Sequence, residues 1–335
     1  MEYTVFALVM IAVFLLCVCV GSVSVSLKDT ITIIYHAIRG LPMPEGRPEV
    51  PIILLVRLPR VICAALMGAA LSISGGAMQG LLKNPLADGS TLGVSSGASL
   101  GAVIAIAFGI TFSKLPFSGT MAMAMLFAFL SLMAILSLAY KLDYSLSTNT
   151  IILIGVIYSM FVSSIMSLII TYAGDKVKHI TFWTMGSLAG SNYENAIVLL
   201  IALIICGGVM LRYARELNAF AIGEENSRHI GVNVRKVKLV VMIAVSALIG
   251  VCVSISGTIG FIGLVTPHIV RMIVGPNHKR LLPALLFGGA TFLMLSDFVA
   301  RILLNPVELP IGVVTSFIGT IQFVYIFNKS RRIKQ

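Results

Sequence analysis

Long apolar runs alternate with short charged or Gly/Pro-rich breaks along this chain. A helix that crosses a bilayer needs roughly 20 apolar residues at a rise of about 1.5 Å each. Ten runs approach or reach that length, near residues 3–25, 58–82, 92–112, 117–140, 150–173, 195–213, 237–257, 259–274, 281–304 and 309–328. The eighth run is too short to cross alone, and we expect it to lie within the membrane packed against neighbouring helices. The pattern predicts an all-α polytopic membrane protein with about ten transmembrane helices.

Composition agrees with this pattern, because 58% of the residues are hydrophobic, 11% are charged and the mean hydropathy is +1.02. Little chain remains for a soluble domain, so residues 1–335 are predicted to form a single transmembrane domain in contact with lipid. The net charge of +11 comes from Lys and Arg in short loops, which indicates topology rather than nucleic-acid binding. The side with both termini holds 15 of these 24 cations and is therefore predicted to be cytoplasmic.

A short internal repeat links the two halves of the chain. The sequence of Ser72–Gly75 recurs in Ser254–Gly257, at an offset of 182 residues. Further matches at the same offset are Gly68 with Gly250, Leu82 with Leu264, Pro85 with Pro267 and Gly93 with Gly275. The copies lie on the second and seventh runs, which cross the membrane in opposite directions. An inverted repeat with halves near 58–173 and 237–328 is predicted, as in transporters; small-residue helix packing is the alternative explanation.

Candidate chemistry is sparse. The chain contains no GxxxxGK[ST] phosphate-binding loop, and its five cysteines lie in apolar runs without metal-ligand spacing, so we predict neither catalytic nor metal-binding residues. Asp297 is the one acid singled out inside a run, and Arg301 follows one helical turn later on the same face. A structural ion pair is the favoured interpretation, which weakens the hypothesis of an ion- or proton-coupled carrier without removing it. A membrane enzyme or scaffold has no paired acid, base or metal set to support it.

Five longer motifs resemble one known family. They are RLPR at Arg57–Arg60, the segment Gly68–Ser99, GTIGFIGLVTPHIVR at Gly257–Arg271, DFVAR at Asp297–Arg301 and ELPIGVVTSFIG at Glu308–Gly319. The chain resembles the FecCD-like permeases that import iron-siderophores, haem and cobalamin. The resemblance implies a type II ABC importer permease in the bacterial cytoplasmic membrane. It also implies a dimer whose pathway is lined by the fifth and tenth spans and parts of the third and eighth.

The resemblance also implies partners and cargo. A second permease subunit, identical rather than homologous by preference, two ABC ATPase subunits and an extracytoplasmic substrate-binding protein are expected. This chain is expected to bind no cofactor, since ATP and Mg belong to the ATPase subunits. An iron-siderophore is the preferred cargo, with haem and cobalamin as further candidates. The alternative class is an ion- or proton-coupled secondary transporter, which would need no ATPase.

The same resemblance assigns roles to named residues. An inner gate is expected at Asn84, Leu86, Thr148 and Asn149, where Asn149 departs from the small hydroxyl residue typical of the family. The connection 214–236 resembles the coupling helices that seat in the ATPase. Its candidate residues are Ala221, Gly223, Glu224, Glu225, Arg228 and Gly231. An ordinary solvated loop is the alternative, because charge runs are often no more than that.

Three arginines lie on the predicted outer side, against the positive-inside bias. They are Arg57, Arg60 and Arg301. We expect them to be exposed and, from the resemblance, to receive acidic residues of the binding protein. Snorkelling to the membrane interface is the alternative explanation.

Overall fold

The computed structural model describes residues 2–21, 25–42, 49–112, 118–144 and 146–332, and the regular secondary structure in these ranges is helical. The helices are α1 Glu2–Cys19, α2 Leu27–Arg39, α3 Glu49–Leu82, α4 Val94–Phe108, α5 Gly119–Leu142, α6 Thr148–Tyr172, α7 Val177–Thr184, α8 Tyr193–Arg212, α9 Ala214–Phe220, α10 Glu224–His229, α11 Val234–Ser256, α12 Ile262–Val274, α13 His278–Ile302 and α14 Ile311–Arg332. Short 3-10 turns lie at Gly89–Leu92 and Gly174–Lys176.

Ten of these helices correspond to the ten predicted apolar runs. Seven are long and apolar enough to cross a membrane, namely α1, α3, α5, α6, α8, α11 and α13. The other three, α4, α12 and the stretch Ile311–Val324 of α14, are apolar but shorter. The predicted all-α polytopic membrane fold is confirmed. The largest difference concerns α3, which begins at Glu49 instead of residue 58 and contains a π-helical turn at Ile52–Arg57.

Helix α3 lies at the centre of the core because its small residues allow neighbouring backbones to approach it. Gly68 packs against the backbone of Gly289 in α13, and Gly75 packs against Gly263 at the start of α12. A methyl group on either α3 glycine would overlap a backbone oxygen of the partner helix. Close backbone approach through small residues is a common way of joining helices in a bilayer. The small residues of the first repeat copy therefore form the α3 packing surface.

The ends of the helices define two faces of the molecule. Glu2 at the start of α1 pairs with Arg280 near the start of α13, and we call this side the N-terminal face. Lys83, directly after α3, lies next to Gly223 on that face. Glu224, the residue after Gly223, forms an ion pair with Lys238 near the start of α11. Helix α3 therefore ends on the face where α11 begins, and the two run in opposite directions; the inverted repeat itself stays a prediction.

Candidate functional site

A cavity of about 330 Å³ lies between α4, α6 and the segment that precedes α12. Its polar lining comes from Asp88, from serines in the first turns of α4 and from Thr258, and Met166 of α6 and Phe261 contribute apolar surface. A second cavity, of about 750 Å³, shares Thr184, Thr258 and Gly260 with the first and extends along α14. Together the two cavities follow parts of the third, fifth, eighth and tenth apolar helices, which are the elements expected to line a pathway.

The short helices explain how polar groups reach this cavity. Helix α4 begins only at Val94, after the Gly89–Leu92 turn, and α12 begins after the non-helical stretch 257–261. Phe261 adopts a left-handed backbone conformation, φ +68°, immediately before α12. Non-helical backbone is tolerated at membrane depth only against protein or a cavity. The two interruptions therefore fit a cavity lined by backbone as well as side chains.

The first predicted gate segment is a tight turn after α3. Asn84 accepts a hydrogen bond from the Leu86 backbone N–H at 2.9 Å through its side-chain oxygen. Leu86 is 54% exposed on the N-terminal face, so its side chain is available to meet a partner there. Pro85 between them cannot donate a helical hydrogen bond, which explains the end of α3.

The second gate segment is the start of α6. Ser147 caps the helix by accepting from the Thr150 N–H, which places Thr148 and Asn149 in the first turn. Asn149 is exposed, whereas Thr148 is half-buried and donates to the Glu224 carboxylate at 3.2 Å. Among the described residues, no hydrogen bond joins the Asn84–Leu86 turn to Thr148 or Asn149. The structure therefore places the two gate segments on one face and connects one of them to the predicted coupling segment.

The predicted coupling segment forms two short helices, α9 and α10, rather than an extended loop. Phe220 and Ser227 are fully buried, and the Ser227 hydroxyl bonds the Ala219 and Gly223 carbonyls at 2.8 and 2.5 Å. Left-handed glycines, with φ +112° and +89°, stand before and after α10 at Gly223 and Gly231. The outward surface is mixed apolar and polar, and its exposed residues are Ala221, Ile222, Glu225, Asn226, Arg228, His229, Ile230 and Gly231.

Glu224 differs from the other residues of this segment because it points into the protein. Its carboxylate accepts from the Lys238 ammonium of α11 at 2.7 Å, and the Lys238 side chain is fully buried. The same ammonium donates to the Leu146 carbonyl at 2.7 Å, in the turn between α5 and α6. Sequence reasoning did not select Lys238; the available signal was a cation, the last of three at residues 235–238, directly before an apolar stretch of α11.

A second contact fixes α11 to the same turn. The Arg235 guanidinium lies 3.9 Å from the ring centre of Tyr144 and 4.7 Å from that of Tyr140. Hydrogen bonding from Arg235 lowers the pKa of the exposed Tyr144 hydroxyl below its usual value. The α5–α6 turn is therefore held to α11 from two sides.

The three outer arginines form a buried network on the opposite face. Asp297, 1% exposed, lies 3.0 Å from both Arg60 and Arg301, which confirms the predicted pair with Arg301. Arg60 also pairs with Glu308 at 2.9 Å, and Arg57 donates to the Cys19 carbonyl of α1 at 2.9 Å. The arginines themselves are only 4–6% exposed.

The expectation that these arginines are exposed is wrong. Buried ions are retained when paired charges and hydrogen bonds replace water, and each arginine has acquired such partners within the chain. Asp297 and Glu308 supply the charges, and the last carbonyls of α1 supply further acceptors. The anomalous location that drew attention to Arg57, Arg60 and Arg301 therefore has an explanation inside the protein. Their role in docking stays a prediction.

The chain shows clear similarity to known proteins over nearly its whole length. The model of the FecCD transport family matches residues 8–329. An uncharacterised ABC transporter permease protein, YvrB of Bacillus subtilis, is 40% identical over 93% of this chain and 89% of its own length. The cobalamin import permease BtuC of Halobacterium salinarum is 36% identical over 88% of this chain and 78% of its own. The molybdate import permease MolB of Haemophilus influenzae is 34% identical over 93% of this chain and 91% of its own length.

A solved structure supports the same relationship in three dimensions. It is an inward-facing conformation of an ABC transporter assigned to the metal-chelate type, with 32% sequence identity and a TM-score of 0.84. The superposition covers 97% of both chains. The chain therefore belongs to the FecCD transport family and is a membrane-spanning permease of the type II ABC importer class.

Proposed function

We propose that this permease carries an iron chelate into the cytoplasm, with a ferric siderophore as the preferred cargo. The observation that carries the proposal is the full-length likeness to a transporter assigned to the metal-chelate type. Haem and cobalamin are also metal chelates, and a cobalamin permease stands among the relatives. A molybdate permease is also among the relatives, so molybdate, an oxyanion, should be included in any test of cargo.

The working unit is proposed to be a homodimer with two ATPase subunits and a binding protein. A chain without its own nucleotide site responds to ATP only through contact, and the α9–α10 surface offers exposed Ile222 and Ile230 beside charged groups. An apolar centre with a charged surround suits a protein interface. This assignment makes the N-terminal face cytoplasmic, with ATP and Mg bound by the ATPase subunits.

Docking of the binding protein is proposed on the opposite face. Arg57, Arg60 and Arg301 would have to leave intrachain partners in order to contact it. Glu308 is the more accessible member of the same network, with a side chain 42% exposed. A docking surface around Glu308 therefore requires less rearrangement than one built on the arginines.

Reconstitution separates the proposed function from its alternatives. The permease, the ATPase and the binding protein are placed in proteoliposomes, and uptake of a ferric siderophore, haem, cobalamin and molybdate is measured. ATP-dependent uptake of the siderophore, with stimulation of hydrolysis by loaded binding protein, is the expected result. An ATPase unable to hydrolyse ATP is the control. Uptake driven by a proton or sodium gradient without ATP would establish the secondary transporter, and ATP-driven uptake of molybdate alone would refute chelate transport.

A further inference from the structure

The buried ammonium of Lys238 joins three separate elements on the N-terminal face. Its side chain is fully buried and donates to the Glu224 carboxylate of α10 and to the Leu146 carbonyl, both at 2.7 Å. Thr148 of α6 donates to the same Glu224 oxygen at 3.2 Å. One carboxylate oxygen therefore receives a cation from α11 and a hydroxyl from the predicted gate. Glu224 lies 14 residues from Lys238 and 76 from Thr148, so folding alone brings the three together.

A buried ammonium is costly, so these contacts must persist whenever Lys238 stays buried. An ion removed from water needs both a countercharge and hydrogen bonds, and removal of one partner leaves the other uncompensated. Arg228 of α10 and Asp143 near the end of α5 are the other charges that act on Lys238. Asp143 is occupied at the same turn, because it accepts from the Ser147 N–H and the Thr150 hydroxyl at 3.0 and 3.1 Å.

The neighbouring contacts limit where movement can occur. Arg235, one turn before Lys238, packs on Tyr140 and Tyr144, so the start of α11 and the α5–α6 turn form one body. Leu146 in that turn has a left-handed backbone, φ +53°, which is rare for a branched residue. Helix α10 is bounded by left-handed glycines at Gly223 and Gly231, where the chain changes direction. The Glu224 carboxylate is therefore the contact through which a displacement of α10 would act on the start of α6.

We propose that Lys238 and Glu224 are positioning residues that carry movement of the coupling segment to the gate at Thr148 and Asn149. The inference rests on the proposed function, since it assumes that an ATPase moves α10. Neither residue contacts cargo or nucleotide in this role. The pair keeps the ATPase-facing helix and the gate in a fixed relation, so that hydrolysis opens the pathway instead of proceeding without transport.

The test uses the complete importer in proteoliposomes, with chelate moved per ATP hydrolysed as the main readout. Lys238→Met and Glu224→Gln are each expected to lower this ratio at least about fivefold, the low end of typical coupling between sites. The double variant should be no worse than Lys238→Met alone, because both changes remove one link. Lys238→Arg should restore part of the ratio. Lys141→Met, an exposed lysine at the end of α5, is the matched control and should match wild type.

Gate movement is measured separately by labelling. A cysteine at Asn149 is treated with a charged thiol reagent from the N-terminal face, with and without nucleotide. Nucleotide should change the labelling rate in the wild-type background and should have less effect with Lys238→Met. If Lys238→Met does not assemble, Thr148→Val and Glu224→Gln carry both measurements, since each keeps the side-chain shape.

Two outcomes have different meanings. If the variants lose assembled complex or thermal stability, while the complex that forms keeps the wild-type ratio and labelling response, Lys238 only stabilises the fold and the proposal is overturned. If the wild-type importer itself shows no ATP-dependent uptake, the proposed function fails instead, whatever the variants do. Additive losses in the double variant would also overturn the link.

Discussion

Asp297 pairs with two buried arginines, whereas Glu308, the other acid of the described network, pairs with one. The single negative charge of Asp297 is shared between two buried guanidinium groups from different helices, at 3.0 Å each. Its spacing from Arg301 predicted one of these pairs, because residues four apart share a helix face. Arg60 lies 237 residues away, and no local pattern connects the two. Sequence reasoning therefore found the acid and one partner but took the arginines to be exposed.

Replacement of Asp297 by Asn should destabilise the permease strongly. The change leaves Arg60 and Arg301 buried without their shared countercharge, and breaking a buried pair costs about 3–5 kcal/mol. The thermal midpoint of the detergent-purified protein should fall by many degrees. Glu308→Gln is the matched control, since Glu308 is partly exposed and its loss leaves Arg60 paired with Asp297, so a smaller fall of the midpoint is expected. Equal midpoints for the two variants would contradict this account.

Because the three arginines are buried and paired, we expect their replacement to affect folding before it affects docking. Changing Arg57, Arg60 and Arg301 together to Glu would place three acids beside Asp297 and Glu308. Like charges in a buried site are strongly unfavourable, so membrane insertion and yield should fall before docking can be assayed. Normal yield with specific loss of binding-protein capture would instead favour the docking role. Size-exclusion profiles of the tagged variant and quantitative co-purification measure the two effects.

Helices were the most predictable elements of this protein. Ten apolar runs gave ten apolar helices, because a helix satisfies its own backbone in lipid and the run length follows the bilayer thickness. The start of α3 was misplaced because charge and proline at residues 49–60 suggested a boundary that the backbone crosses with a π-helical turn. The resemblance predicted coupling helices in the connection 214–236, but the bounds of α9 and α10 and the burial of Phe220 and Ser227 could not be predicted, since they depend on packing that no local pattern encodes.

Gly75 should tolerate no side chain, since α3 meets α12 there through backbone alone. A methyl group would overlap the Gly263 carbonyl, and forcing extra atoms into a packed contact costs about 1–3 kcal/mol. Gly75→Ala is therefore expected to lower the thermal midpoint and the yield. Gly208→Ala is the control, because nothing lies within 4 Å of a methyl group there and alanine favours a helix. A midpoint for Gly75→Ala equal to that of the control would disprove the close contact.

The outward side of α10 should affect hydrolysis without affecting the fold. Glu225 is exposed, beside the Ile222 and Ile230 surface, whereas Glu224 is turned inward to Lys238. Glu225→Lys should weaken contact with the ATPase and reduce stimulation by loaded binding protein, with normal insertion. Lys141→Glu, an exposed charge reversal on the same face, should leave stimulation unchanged. Stimulation in Glu225→Lys at the level of this control would remove the coupling assignment.

The single chain would supply one half of the pathway in the proposed dimer. Exposed apolar side chains cover α6 and α14, including Met160, Phe161, Phe317 and Ile321. Such a surface is equally compatible with lipid and with a second permease, so the sequence of one chain does not predict the dimer. A gate that closes between two subunits is not predictable from one chain for the same reason. The class of protein was predictable because long motifs resemble a family, while the cargo was not, because a mostly apolar cavity accepts many ligands.

Substitutions of Leu86 can show whether the predicted gate on the N-terminal face opens and closes. Leu86 is 54% exposed, at the tip of the turn after α3, and a gate closes only if such side chains meet across the axis. Leu86→Ala should raise passive leak of chelate from loaded proteoliposomes. A cysteine at the same position should label at different rates with and without nucleotide. Identical labelling in both states, alongside a clear response at Asn149, would show that only the second segment moves.

The separation between Arg60 and Asp297 has a consequence for how the protein is made. Ribosomes add about 5–20 residues per second, so roughly 12–50 s pass between synthesis of one partner and of the other, 237 residues later. During that interval Arg60 has no Asp297 and must keep its guanidinium in interfacial water, which its long side chain permits. Chains that stop before α13 would retain unneutralised arginines and are expected to be degraded. We therefore expect α1 and α3 to take their final positions only after α13 has been synthesised.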